Sequence, residues 1–192
     1  MRSTFGLAQA PPIRGAIVIG GDRIALGAVR SLGRQGLPVW VLVGEHRVAT
    51  TSRYCTRTLP WPRESEAAQC AWLLELAATH GLQGWIIFPS DDESAAMLSR
   101  HHAVLAEHFA LTTPPWETLR WAYDKRLTNN LAAHLKIPTP QTWYPQNEDQ
   151  LTALIAQGVT FPAVLKPAYK RDSNRFTNAR ARSEEHTSEL QS

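Results

Sequence analysis

"AIVIGGDRIALGAVRSLGRQGLPVWVLV" (residues 16–43) is the stretch that decides the fold class. Its first apolar run ends at Gly20-Gly21 and is typical of a buried strand. Apolar residues then recur at helical spacing behind Asp22, a predicted N-cap. A second apolar run, at 37–44, predicts another buried strand. Strand, helix and strand within about thirty residues indicate a βαβ unit, whose crossover we expect to be right-handed.

The alternation of helices and strands continues to residue 114. The predicted elements are a helix at 64–81, a strand at 84–89, a helix at 90–108 and a short strand at 109–114. Buried strands that alternate with helices form parallel sheets covered on both faces. The predicted fold class is therefore α/β, with an N-terminal extension at 1–13 and a Rossmann-like domain at 14–114.

A second domain is predicted at 115–181. Its pattern indicates two short helices that are separated near Tyr123-Asp124, a third helix at 147–158 and a strand at 161–167. We expect these elements to be the first part of a domain that the sequence does not complete.

Composition gives no support to nucleic-acid or membrane partners. The formal net charge is only +3, without a dense Lys/Arg run. The longest apolar run, VWVLV, is too short to cross a bilayer. The histidines do not form H-E-x-x-H, and Cys55 and Cys70 form neither a disulfide framework nor a CxxC pair. We therefore expect no metal site built from His or Cys, and a reducing, cytoplasmic setting.

Gly20 and Gly21 have two interpretations. Glycines after a first strand let the backbone approach a phosphate or a nucleotide. The same pair also suits a tight strand-to-helix turn, and we favour the turn because the G-x-G-x-x-G and P-loop patterns are both absent. The missing fingerprint also disfavours an NAD(P)-dependent reductase.

Acidic residues follow the third predicted strand in "PSDDE" (89–93). Open α/β sheets bind ligands at this carboxyl edge, where Asp91 and Asp92 can contact an amine or a metal. Ser90 and Glu93 also match a capping box, and acids in a first helical turn complement the helix dipole. We favour the capping interpretation.

Arg47, Arg53 and Arg57 follow the second predicted strand, in a segment that we predict to be a loop. Guanidinium groups can hold a substrate carboxylate bidentately. The alternative is that the three spaced arginines lie on a solvated loop face, and this is the interpretation we favour.

Lys125 breaks a local rule of helices. Leu127, Leu131 and Leu135 recur every four residues, so a helix is predicted to begin near Asp124 with Lys125 in its first turn. The helix dipole disfavours a cation there by roughly 0.3–1 kcal/mol. Either a bound anion removes the conflict, or Asp124 caps the helix and Lys125 points into water.

Lys166 lies near the end of the predicted strand at 161–167. A lysine beside a short buried run needs a partner or a wet cleft. A nucleotide phosphate is one such partner, and extension of the side chain into water is the alternative.

Three segments, taken together, resemble the ATP-grasp superfamily. Residues 16–43 are similar to its Rossmann-like starter domain. "YDKRLTNNLAAHLKIPTPQTW" (123–143) is similar to its D-K…L…G/K-I-P-x-P stretch, and "FPAVLKPAYK" (161–170) to its F/Y-P-h-h-h-K-P strand. The resemblance covers about residues 14–181. It is strongest with the carboxylate–amine ligase branch that includes D-aspartate ligase-like proteins.

The resemblance implies ATP as a cofactor, bound through its phosphates by Lys125 and Lys166, with Lys170 as a weaker third contact. Many members have a glycine-rich phosphate loop where this chain reads "AYKRDSNRFTNAR", without glycine. The implied reaction phosphorylates a small-molecule carboxylate, and an amine then displaces the phosphate. The Mg²⁺ ligands of the family lie beyond the second lysine strand.

The tail "RSEEHTSELQS" (182–192) resembles no ligase motif and reads as a translated sequencing adapter. We exclude it from the fold and expect it to be disordered and to contact nothing. The chain is then expected to be an N-terminal fragment of an ATP-grasp ligase, inactive without its metal-binding half. The alternative is a non-enzymatic Rossmann-like module that binds a nucleotide or another ligand. It accounts for 14–114 but not for the order of Lys125 and Lys166.

Overall fold

Five parallel strands form the central sheet of the computed structural model, which describes residues 14–159, 162–165 and 182–183. The strands are β1 (Ala16–Ile19), β2 (Val39–Val43), β3 (Cys55–Pro60), β4 (Ile86–Pro89) and β5 (Ala110–Leu111). Their order across the sheet is β3-β2-β1-β4-β5, and each neighbouring pair is parallel. The expected α/β class with a parallel sheet is therefore confirmed.

Four helices connect these strands. They are α1 (Arg23–Arg34), α2 (Glu66–His80), α3 (Asp92–Arg100) and α4 (His102–Ala106). The predicted N-cap of α1 is confirmed, because the Asp22 carboxylate accepts a hydrogen bond from the Ala25 N–H at 2.9 Å. The single helix expected at 90–108 is divided at His101, whose backbone leaves the helical region with φ −97° and ψ 17°.

The core lies on both faces of the sheet, as a parallel sheet requires. Every residue of β1 is 0% exposed. Ile17 and Ile19 belong to the cluster that packs against α2, α3 and α4. Ala16 and Val18 belong to the cluster on the opposite face, which includes the buried side chains of α1. Because successive side chains of a strand alternate in direction, one continuous apolar run serves both clusters.

Strand β3 lies where the sequence analysis placed a loop, so that interpretation of Arg57 was wrong. Arg57 pairs with Trp40 in the parallel ladder between β2 and β3. The strand is at the edge of the sheet, and each of its residues is exposed or only partly buried. An edge strand without a buried face lacks the apolar alternation that identifies strands from sequence.

The chain divides into two compact units, Met1–Leu119 and Arg120–Ser192. The later helices are α5 (Trp116–Tyr123), α6 (Lys125–His134) and α7 (Glu148–Ala156). The predicted break between two short helices is confirmed at Asp124. None of the described residues of the second unit is buried. Large apolar side chains on or beside α6 and α7 are exposed, among them Leu135 (57%), Ile137 (54%) and Ile155 (54%).

Two residues of the tail contact the chain, contrary to our expectation that the tail contacts nothing. Strand β6 (Val164–Leu165) pairs antiparallel with β7 (Arg182–Ser183). Such pairing uses only backbone N–H and C=O groups, so the edge of a short strand can accept a segment of almost any composition. The rest of the tail, 184–192, lies outside the described residues.

No helix among the described residues combines the length and the apolar character needed to cross a bilayer.

Candidate functional site

The carboxyl edge of the sheet has its switch point at β1. The chain passes from β1 through α1 to β2 on one side, whereas β4 pairs with β1 on the other side. Open α/β sheets bind ligands in the crevice at such a point. The turns that follow β1 and β4 carry Gly20-Gly21 and Asp91, three of the residues singled out from sequence.

Packing within the protein requires the two glycines of the first turn. Gly20 has φ +109°, and a Cβ there would lie 1.9 Å from Oγ of Ser90. A Cβ on Gly21 would lie 1.7 Å from the carbonyl oxygen of His46. The Gly21 carbonyl also accepts a hydrogen bond from the Ala49 N–H at 2.9 Å. The turn is therefore held between the segments that follow β2 and β4, and a direct role of Gly20 and Gly21 in ligand binding stays a prediction.

Asp91, and not Ser90, caps α3. The Asp91 carboxylate accepts hydrogen bonds from the Ser94 N–H at 2.7 Å and from the Ser94 hydroxyl at 2.9 Å. The capping interpretation is thus correct in kind but shifted by one residue, because α3 begins at Asp92 and both Ser94 donors bind the Asp91 carboxylate. Asp92 is exposed in the first helical turn, where a negative charge complements the helix dipole.

The three arginines of the segment after β2 diverge and do not form one site. Arg53 donates to the Tyr54 hydroxyl at 2.7 Å, and its guanidinium carbon lies 4.8 Å from the ring centroid. This hydrogen bond lowers the pKa of Tyr54 below its ordinary value. Arg57 instead stacks over Trp40, at 4.6 Å from the ring centroid. Arg47 lies elsewhere, on a cleft between the ends of β2 and β3.

That cleft has a volume of about 290 Å³ and is wholly within the first unit. Its lining consists of Val43, Gly44, Arg47, Thr58, Leu59, Pro60, Trp61 and Arg63. The backbone N–H of Trp61 donates to the Val43 carbonyl at 2.9 Å, and the Trp61 ring makes an edge-to-face contact with Trp72 at 6.2 Å between centroids. Sequence patterns did not single out Trp61 or Arg63, because the strand that positions them was not predicted.

The first turn of α6 carries two cations and one carboxylate. Asp124 caps the helix by accepting from the Arg126 N–H at 2.9 Å. The Arg126 guanidinium also binds both Asp124 oxygens, with Nε–Oδ1 at 3.0 Å and Nη2–Oδ2 at 2.6 Å. Lys125 is the first residue of the helix and is exposed. The net positive charge of this turn and the helix dipole together fit an anionic group such as a phosphate.

Lys166 and Lys170, the other two predicted nucleotide contacts, lie outside the described residues. Within the part of the chain that is described, no three His, Cys, Asp or Glu side chains are grouped so that they could hold a metal ion. The Mg²⁺ expected from the resemblance therefore has no candidate ligand set among these residues.

Comparisons with solved structures identify the same architecture in several enzymes. The L-amino acid ligase from Bacillus licheniformis matches 86% of this chain with a TM-score of 0.57 and 17% identity. The ADP complex of N5-carboxyaminoimidazole ribonucleotide synthetase matches 96% with a TM-score of 0.59 and 17% identity. The biotin carboxylase domain of the Hydrogenobacter thermophilus 2-oxoglutarate carboxylase, solved with MgADP, ADP and bicarbonate, matches 84% with a TM-score of 0.56 and 15% identity.

These similarities, all at 15–17% identity, concern the fold alone. The chain spans 40%, 45% and 36% of the length of the three structures, respectively. Comparison with protein-family models finds no match, and comparison with curated proteins finds none either.

Proposed function

We propose that this chain is the N-terminal part of an ATP-dependent ligase that joins a small-molecule carboxylate to an amine. The observation that carries the proposal is the fold shared with an L-amino acid ligase and with a ribonucleotide synthetase solved with ADP. The two likenesses cover 86% and 96% of this chain. The proposal also uses Lys125 and Lys166, which follow one another in the order that the resemblance to the ATP-grasp superfamily implies.

Lys125 is assigned to the nucleotide phosphates in this proposal. The reason is its place as the first residue of α6, where the helix dipole and its own charge both attract an anion. Arg126 is less suited to that role, because its guanidinium already donates to both carboxylate oxygens of Asp124. Lys166 and Lys170 are the further contacts that the proposal requires, and Lys170 is the weaker of the two.

The chain alone is proposed to be inactive. Phosphoryl transfer needs a divalent cation to neutralise the developing charge, and Mg²⁺ requires several hard oxygen ligands. The proposal places those ligands in a further part of the enzyme. Support comes from exposed apolar side chains on or beside α6 and α7, such as Leu135 and Ile155, which a complete domain would cover.

The proposed reaction needs two small-molecule substrates, a carboxylate and an amine. A cytoplasmic setting is retained as part of it. Both cysteines are free thiols, which suits a reducing compartment.

Isothermal titration of the full 192-residue chain with ATP tests the nucleotide assignment. Lys125→Ala and Lys166→Ala should each weaken binding by about ten-fold, because each removes a charge-assisted contact to phosphate. Lys136→Ala is the matched control, since Lys136 is an exposed lysine just beyond the other end of α6 and should leave the affinity unchanged. ATP affinity that is indifferent to both substitutions would favour the non-enzymatic Rossmann-like binding module.

A separate assay tests the proposed inactivity. The chain is incubated with ATP, Mg²⁺ and a panel of amino acids, and released inorganic phosphate is measured. We expect no release above that of a Lys125→Ala/Lys166→Ala double variant. Release that depends on both lysines would refute the inactivity while supporting the nucleotide site.

A further inference from the structure

We propose that the cleft between the ends of β2 and β3 is a binding site for a small organic carboxylate with an apolar body. This site does not rest on the proposed ligase function. It is lined only by residues of the first unit, and its test needs neither ATP nor either lysine.

Charge is the first argument for an anionic ligand. Arg47 and Arg63 both line the cleft. Two acidic side chains contact Arg63 from outside the lining: the Glu45 carboxylate lies 3.4 Å from its guanidinium, and the exposed Glu64 carboxylate accepts its backbone N–H at 2.9 Å. Arg47 makes no side-chain hydrogen bond or ion pair with the described residues. The residues that line the cleft therefore include two guanidinium groups and no carboxylate, and guanidinium groups match the two oxygens of a carboxylate ligand.

The backbone that carries Arg47 is already fixed, which lowers the entropic cost of binding. The Arg47 carbonyl accepts hydrogen bonds from the Thr50 N–H at 3.1 Å and from the Thr50 hydroxyl at 2.8 Å. Two residues after Arg47, the Ala49 N–H donates to the Gly21 carbonyl at 2.9 Å. The segment between β2 and β3 is thereby tied to the turn after β1, and only the Arg47 side chain must become ordered.

The apolar part of the lining, beside its polar surface, is the argument for an apolar body on the ligand. Leu59 and Trp61 provide this part, because both are only partly buried against the main core cluster, whereas Val43 is 5% exposed. Trp61 offers a ring surface that edge-to-face contact with Trp72 holds in place, on backbone that is hydrogen-bonded to Val43. A cleft of about 290 Å³ is at the lower end of the range for small-molecule sites, about 300–1,000 Å³. It therefore suits a ligand no larger than a substituted ring or a short branched chain.

Sodium benzoate is the probe for this site, and benzamide is its neutral isostere. Both are titrated into the full ¹⁵N-labelled chain, with the Trp61 indole N–H and the Gly44 amide as reporters. We expect benzoate to shift both signals with saturation and to bind at least five-fold more tightly than benzamide or inorganic phosphate. Equal affinity for benzoate and benzamide would overturn the proposal, as would phosphate binding more tightly than benzoate.

Three variants separate the site from general surface charge. Arg47→Gln/Arg63→Gln should weaken benzoate binding by about ten-fold, since exposed charge pairs each change affinity by a few-fold. Arg30→Gln removes an exposed arginine of α1 and should leave the affinity unchanged. Glu45→Gln releases Arg63 from its ion pair and should strengthen binding by about two-fold. Equal losses in the Arg30→Gln and the double variant, or weaker binding in Glu45→Gln, would contradict the assignment.

Discussion

Asp124 and Arg126 form a two-point ion pair across the first turn of α6, with Nε–Oδ1 at 3.0 Å and Nη2–Oδ2 at 2.6 Å. The same carboxylate caps the helix through the Arg126 N–H. A single aspartate thus offsets the cation that the sequence places beside Lys125 at a positive helix terminus.

This ion pair should make α6 sensitive to acid. The hydrogen bonds from Arg126 hold the pKa of Asp124 below its ordinary value of about 3.9. A carboxyl with a lowered folded-state pKa contributes stability that is present above the unfolded pKa and lost as pH falls through the folded one. We expect the ¹³Cα chemical shifts of residues 125–134, which report on helix content, to decrease below about pH 4, near the ordinary pKa of an aspartate. Asp124→Asn keeps a capping side chain but should abolish this pH dependence, and a transition that persists in the variant would contradict the assignment.

The turn at Gly21 should not tolerate a side chain. Gly21→Ala places a Cβ 1.7 Å from the His46 carbonyl oxygen, so backbone must move. We expect the free energy of unfolding to fall by about 1–3 kcal/mol, measured by denaturant titration. Gly27→Ala is the matched control within α1, where a Cβ meets nothing within 4 Å. It should raise the free energy of unfolding by about 0.5–1 kcal/mol, and similar effects of the two substitutions would disprove the close approach.

The two cysteines should differ in reactivity. Cys70 is 6% exposed, and desolvation raises the pKa of its thiol. The thiol therefore stays protonated through neutral pH and into the alkaline range, so its reactive thiolate is scarce. We expect a thiol reagent to label Cys55, which is partly exposed, and to spare Cys70 until the protein unfolds. Peptide mapping by mass spectrometry identifies which cysteine is labelled. Rapid labelling of Cys70 in the folded protein would show that α2 is not packed as described.

Thr113 should be replaceable by valine with a gain in stability. Its hydroxyl is buried without a hydrogen-bond partner in the described structure, and such a group costs about 1–3 kcal/mol. Thr113→Val is expected to raise the free energy of unfolding by about 1 kcal/mol, as the isosteric methyl needs no partner.

Thr112→Val is the neighbouring control, because the Thr112 hydroxyl donates to the Ile87 carbonyl at 2.8 Å. Its loss should lower the free energy of unfolding by about 0.5–1.5 kcal/mol. If the two substitutions changed stability in the same direction, the difference between the hydroxyls would not be real.

Sequence patterns located the buried strands and the capped helices because both signals are local. The continuous apolar run of β1 and the carboxylate of Asp22 needed no knowledge of the rest of the chain. The same local reasoning missed β3, whose edge position leaves no buried face. It also assigned the α3 cap to Ser90, because the second donor from the Ser94 side chain is visible only in three dimensions.

For the candidate site, local sequence patterns gave candidate residues but not their surroundings in the folded protein. It placed Lys125 in a first helical turn, and that position is confirmed, since spacing along a helix follows from residue number alone. It could not separate Arg47 from Arg53 and Arg57, because their surroundings come from strands and side chains brought near by folding. The contacts of Gly21 with His46 and of Trp61 with Val43 are of this second kind. These contacts join segments that are distant in sequence, and the spacing of apolar residues within one segment carries no information about another. They are therefore determined by tertiary packing.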